Sequence, residues 1–239
     1  MHSWILTGVR FGLGLGVLLA AIAAPQVASA QRLSLADINA KIACISTASD
    51  AGDVFFEGCN VHVRDGTGST SGTPPHNGKG NLIVGYNEDL VFPTGKDRTG
   101  VHNLVVGPEH TFSSLGGLVA GLQNTVSGRH ASVSGGFVNT ASGFSASVNG
   151  GSYNTADLGN ASVSGGWNNM ATGFYASVSG GRFNMATGDF ASVSGGASNE
   201  ASDFAASVSG GRNNTAGGDY STVSGENGNT TTTTDDHLP

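Results

Sequence analysis

One asparagine recurs every fifteen residues through the second half of the chain, at Asn124, Asn139, Asn154, Asn169, Asn184, Asn199, Asn214 and Asn229. Valine keeps the same interval at Val133, Val148, Val163, Val178, Val193, Val208 and Val223. Glycine does so at Gly135, Gly150, Gly165, Gly180, Gly195, Gly210 and Gly225. The unit reads Ala-Ser-Val-Ser-Gly-Gly-x-x-Asn-x-Ala-Ser-Gly-x-x. A fixed period of this kind marks an architecture of stacked repeats. Fifteen residues are too few for a helix pair, and a Gly-Gly in each unit would break helices in any case.

Within a unit the residues alternate. Ala131, Val133 and Gly135 fall on one side of an extended chain, Ser132 and Ser134 on the other. Such alternation is the strand signal. The shorter run Asn139-Thr140-Ala141-Ser142-Gly143 alternates in the same way. Each unit therefore predicts two short strands joined by glycine and asparagine turns, one coil of an all-β solenoid. Coils stack at about 4.8 Å, so eight make a rod of roughly 40 Å. The asparagines share the parity of Ala141 and Gly143, which turns them inward at a corner, where an amide satisfies turn backbone groups. They are read as structural rather than as a ladder of ligands. Leu158 and Asp203 stand where neighbouring units have Gly, so the coils are expected to lapse locally there, and Glu226 replaces the second Gly of its unit.

An inner column of Ala, Val and Gly makes a thin core. One Val and two Ala contribute about 3 kcal/mol per coil, whereas ordering fifteen backbones costs on the order of 15 kcal/mol or more. A partner surface would help close that gap. Large residues recur outside the inner columns, namely Phe144, Phe174, Tyr175, Phe190, Phe204 and Tyr220 with Met170 and Met185. Exposed apolar rows of that density mark interfaces, so an oligomer is expected.

Upstream the strand has weaker relatives in Asn81-Leu82-Ile83-Val84-Gly85, Asn103-Leu104-Val105-Val106-Gly107 and Gly117-Leu118-Val119-Ala120-Gly121. The first interval holds about eight extra residues, which suits a loop containing Pro93-Thr94-Gly95. Cys59, Val61 and Val63 alternate with Asn60, His62 and Arg64 and predict a further strand, while Gly66 to Gly80 reads as a loop. Ser34 and Asp37 resemble a capping box, and Leu35, Ile38, Ile42 and Ile45 follow with a/d spacing. Isoleucine at both kinds of position tends toward trimers. An ordinary amphipathic helix packed on the first coil fits the same pattern. The Thr run and Asp235-Asp236 near the end predict a disordered tail.

The first thirty residues carry one charge, Arg10, then an apolar stretch from Phe11 to Ala24, Pro25, and Ala28-Ser29-Ala30 before Gln31. The apolar run is shorter than the ~20 residues a membrane span needs. This order describes a secretory signal peptide cleaved after Ala30. No later segment is apolar and long enough to cross a bilayer, so the mature chain is expected to be secreted or held at a bacterial cell surface. The formal net charge of −7 becomes one unit more negative once Arg10 is removed. An acidic chain lacks the basic footprint that nucleic acid and anionic membranes require. Cys44 and Cys59 would form a disulfide in an oxidising compartment, within one chain or between chains. With 39 glycines the composition would suit a disordered chain, but here the glycines fall in register. The expected organisation is a signal peptide (1–30), a short helical or coiled-coil element (31–48), irregular first coils with loops (49–115), regular coils (116–230) and a tail (231–239).

The unit Ser-Val-Ser-Gly-Gly-x-x-Asn-x-Ala-Ser-Gly resembles the head repeats of trimeric autotransporter adhesins, the YadA-like left-handed parallel β-roll, over about residues 81 to 230. The resemblance implies the left-handed winding, a homotrimer and adhesion to cells, matrix or glycans, with Ser34 to Ile45 as a short N-terminal coiled coil. A full adhesin of that family also has a long stalk and a C-terminal four-strand membrane anchor, and neither is found in this sequence.

Nothing in the sequence reads as an enzyme or as a cofactor site. The coils from Ala131 to Gly225 contain no His to activate their many serines, and no His pair has metal-site spacing. His102 and His110 could meet across adjacent coils with Asp97 or Glu109, but scattered loop histidines match no ligand template. Two functions remain in view. One is the adhesin-like trimer. The other is a monomeric solenoid binding a periodic surface such as ice or polysaccharide, suggested by the outward column Ser132, Ser147, Ser162, Ser177, Ser192, Ser207 and Thr222. Its companion column of Thr125, Thr140 and Thr155 is broken by Met170, Met185 and Glu200. A purely structural surface protein would satisfy the same sequence.

Overall fold

The computed structural model describes residues 35–47, 53–71, 75–90 and 95–239. The signal peptide and Ser34 lie outside them. The chain divides into two compact units between Val61 and His62.

In the first unit a helix runs from Leu35–Ile42 and a strand follows at Ile45–Thr47. That strand pairs antiparallel with Val54–Phe56, Ile45 facing Phe56 and Thr47 facing Val54. Ile45 thus opens a strand instead of closing the helix as its a/d spacing predicted. The reason is tertiary: Ile-Ser-Thr is a β-prone run, and here it has a partner strand. Ile42 and Ile45 are both exposed. Cys44 and Cys59 are joined in one chain by a disulfide just outside the strand pair, and the Glu57 amide donates to the Cys44 carbonyl at 2.8 Å. The strand expected over Cys59 to Val63 does not form, and Val61 and Val63 are exposed. Alternation alone makes no strand where no ladder partner stands beside it.

The second unit is a parallel β-solenoid. Eleven strands, from Leu82–Val84 to His237–Leu238, form one sheet in simple order. Nine strands, from Thr111–Phe112 to Thr230–Thr231, form the other. From Leu104 to Thr231 each coil contributes one strand to each sheet, and the strands Leu82–Val84 and His237–Leu238 extend the first sheet at its two ends. Ser132 faces Ser147, Ser147 faces Ser162, and in the second sheet Thr140 faces Thr155, which faces Met170. Upstream, Leu82 faces Leu104, Leu104 faces Leu118 and Leu118 faces Ser132, so two fourteen-residue coils precede the regular ones.

The core lies between the sheets. Val105, Val119, Val133 and their successors to Val223 are buried, as are Ala131, Ala146, Ala161, Ala176, Ala191 and Ala206. From the second sheet come Phe112, Val126 and then the column Ala141 to Ala216. With Val opposed only by Ala, the core depends on backbones that stack closely.

Three expectations are corrected. The Gly135 column does not continue the inner face, since a Cβ at Gly135, Gly150 or Gly210 would meet nothing within 4 Å. The strand ends at Val133, so its parity does not extend to Gly135. The next glycine is the constrained one. Gly151 has φ +80°, and a Cβ there would overlap the carbonyl oxygen of Gly166 in the following coil. Second, the coils do not lapse at Leu158 and Asp203. Each carbonyl accepts the turn bond three residues on, from Ala161 and Ala206, as Gly143 does from Ala146. Third, residues 231–239 are not a disordered tail but complete a last coil. His237 faces Thr222, and Leu238 takes the valine place opposite Val223. Thr231 is buried and its hydroxyl donates to Ser221 Oγ at 2.9 Å. Threonine is a strand former, and in-register neighbours recruit it.

Candidate interaction surface

The asparagine column inside the solenoid has its hydrogen-bonding groups engaged. Asn139 is buried; its Nδ2 donates to the carbonyls of Gly135 (3.1 Å) and Gly151 (2.9 Å), and its Oδ1 accepts the Asn154 amide at 2.9 Å. Asn154, Asn169, Asn184, Asn199 and Asn214 repeat this set, and Asn229 extends the ladder into the last coil. Each amide thus joins its own coil to the next, and none is turned toward a ligand.

His110 stands in the same column. Its Nδ1 accepts the Asn124 amide at 3.2 Å, so Nε2 carries the hydrogen and meets the Val106 carbonyl at 2.9 Å. Its own amide donates to Asn87 Oδ1 at 2.7 Å. The imidazole performs the acceptor and donor roles of an asparagine, down to the carbonyl four residues back. Burial, with Lys96 nearby adding to it, pushes its pKa below the usual histidine value. The signal for this was available as Asn124 minus fourteen, the local coil length.

The candidate metal set is not assembled. His102 faces Asp65 at 3.6 Å, and the Asp97 carboxylate takes the Thr99 hydroxyl and amide at 2.6 and 3.0 Å, bonds that hold its pKa down. Buried Glu109 lies 3.4 Å from Lys96 and accepts the Leu90 amide at 2.7 Å. Lys96 and Arg98 also pair with Asp89 inside the inserted loop, and the Lys96–Glu109 pair ties that loop to the coil that follows. Among the described residues no group of three His, Cys, Asp or Glu is placed to hold a metal ion, and no helix is long and apolar enough to cross a membrane.

What the solenoid presents outward is aromatic. Two turns per coil join the sheets, residues 135–139 on one edge and 143–146 on the other, with their equivalents. On the second edge Tyr175, Phe190, Phe204 and Tyr220 form a continuous stair, with ring centroids 5.1, 5.4 and 5.4 Å apart. All four are exposed, as are Phe144 and Phe174. Tyr175, Phe190 and Tyr220 have φ of 58°, 60° and 58°, a left-handed backbone that costs such residues roughly 1–2 kcal/mol each. Coil stacking holds them there, each amide donating to a carbonyl of the preceding coil.

The first edge carries a second aromatic set that the sequence reading did not single out. Phe137 meets Tyr153 at 5.5 Å and Trp167 meets Phe183 at 4.5 Å, both edge to face. Aligning the two residues before each asparagine would have shown it. Met170 and Met185, expected among the aromatic rows, sit instead half-buried in the second sheet, in line with Thr155 and Glu200.

No family model matches this chain, and no curated protein is significantly similar to it.

Proposed function

We propose that this chain is an exported, non-enzymatic, adhesin-like module that acts as a homotrimer at a cell surface or after secretion. The single observation that carries the reading is the pair of exposed aromatic edges on a scaffold whose buried asparagine ladder and His110 already have their hydrogen-bond partners. Chemistry needs side chains with unspent hydrogen-bonding capacity in a cleft, whereas recognition needs large exposed rings on a rigid frame. The likeness of the repeat to trimeric adhesin heads supports the same direction, as does the secretory pattern of residues 1–30.

The chain from Gln31 onward contains every described residue and suits the test. Its expected mass by light scattering is that of three copies. It should bind cultured cells or immobilised matrix proteins saturably; failure on all such surfaces across a range of salt would remove adhesion from the reading. The periodic-surface alternative is weaker, because Met170, Met185 and Glu200 interrupt the outward face of the second sheet. Thermal hysteresis at high protein concentration would reinstate it.

A further inference from the structure

The two edges carry opposite charge at matching levels. On the first edge Phe137, Ser152, Trp167, Arg182, Ala197, Arg212 and Asn227 form one straight column linked by parallel bridges. Seven residues along the same coils, Asp189 shares a level with Arg182 and Asp219 with Arg212, on the second edge. Asp203 occupies the level between them. All five groups are exposed, and among the described residues neither arginine has an acidic partner. Asp189 and Asp219 each accept one turn amide, from Phe174 and Phe204, and meet no base. On the two edges charges of the other sign lie outside this block, Arg129 on the second edge below it and Glu226 on the first edge above it, while Glu200 lies within it on the second sheet.

Charge and aromatic rows of this kind complement each other only between different edges. Matching first edge to first edge would oppose arginines. Cyclic symmetry has no translation along its axis, so it sets each coil beside the same coil of its neighbour. The geometry points to a head-to-tail contact in which the first edge of one copy docks on the second edge of the next. Arg182 faces Asp189 and Arg212 faces Asp219 of that copy, and the Trp167–Phe183 pair is covered by the lower steps of the stair, Tyr175 and Phe190. Such a contact leaves an edge free on each chain until a ring closes, and three contacts close a trimer. The inference rests on the oligomeric part of the proposed function and names its interface.

Charge reversal tests it on the chain from Gln31. Trp167 is the one tryptophan left when Trp4 is absent, so its emission reports the first edge directly. Assembly should shift that emission to shorter wavelength, and added salt should weaken assembly. R182E/R212E should raise the dissociation constant at least about 30-fold, as loss of interfacial charge pairs does. D189R/D219R should do the same. The combined four-residue variant, self-complementary again, should reassemble. Circular dichroism of each variant confirms that the coils remain folded. An oligomer that survives both reversals, or grows stronger with R182E/R212E, overturns the edge pairing and leaves the adhesin-like reading standing. Failure of the folded combined variant to reassemble overturns it as well. A monomeric wild-type chain overturns the trimer itself.

Discussion

Two adjacent glycines in the same turn carry different constraints. Gly150 faces open space, while a Cβ at Gly151 would overlap a carbonyl of the next coil from a left-handed backbone. Gly150→Ala should therefore change the denaturation midpoint little, whereas Gly151→Ala should cost about 3 kcal/mol or more, read from urea unfolding. His110 supplies a second test at this scale. The folded chain holds it neutral, because burial depresses its pKa, whereas the unfolded chain protonates it near pH 6.5. Below that pH the unfolded state binds the extra proton, so stability is full above about 6.5 and declines as the pH falls. His110→Asn keeps the acceptor and donor roles without a titrating group. It should flatten the decline between pH 7 and 5 in denaturation curves.

The coil is the element, and its integrity rests on what crosses to the next one. Removing the Asn169 amide would leave the Asn184 amide and the Gly165 carbonyl without their partner, while the Gly181 carbonyl keeps the Trp167 amide. At about 1–3 kcal/mol for each buried polar group left unpaired, Asn169→Ala should cost about 3 kcal/mol or more. Hydrogen exchange should quicken first at the amides of 184 and its neighbours, and uniform exchange along the chain would contradict the ladder. Elements also show where reading the sequence failed. Leu35, Ile38, Ile42 and Ile45 fit a heptad, yet Ile45 pairs with Phe56. Thr231 and Leu238 keep the fifteen-residue step of the Ala and Val columns while the residue types change, which made the last coil look like a tail. Composition was followed there in place of register.

At the scale of the whole molecule the solenoid is quasi-one-dimensional, each coil touching only its neighbours. Deleting fifteen residues, Ser147–Ala161, joins Ala146 to Ser162 with every column intact. That variant should retain the β spectrum and unfold at a modestly lower denaturant concentration. Deleting one residue fewer leaves one sixteen-residue coil whose extra residue interrupts the ladders at that point, and it should lower the denaturation midpoint further. Equal behaviour of the two deletions would contradict the stacking order. The all-β solenoid and its coil length were legible in the Asn, Val and Ala columns alone, because an identical step repeated many times leaves one way to bring like residues together. Which glycine is packed, which imidazole replaces an asparagine, where the helix stops and which aromatic rings share an edge were decided by the folded chain. Those features depend on contacts between residues fifteen apart and on turns that reset the direction of a side chain, and a linear alternation pattern does not carry across a turn.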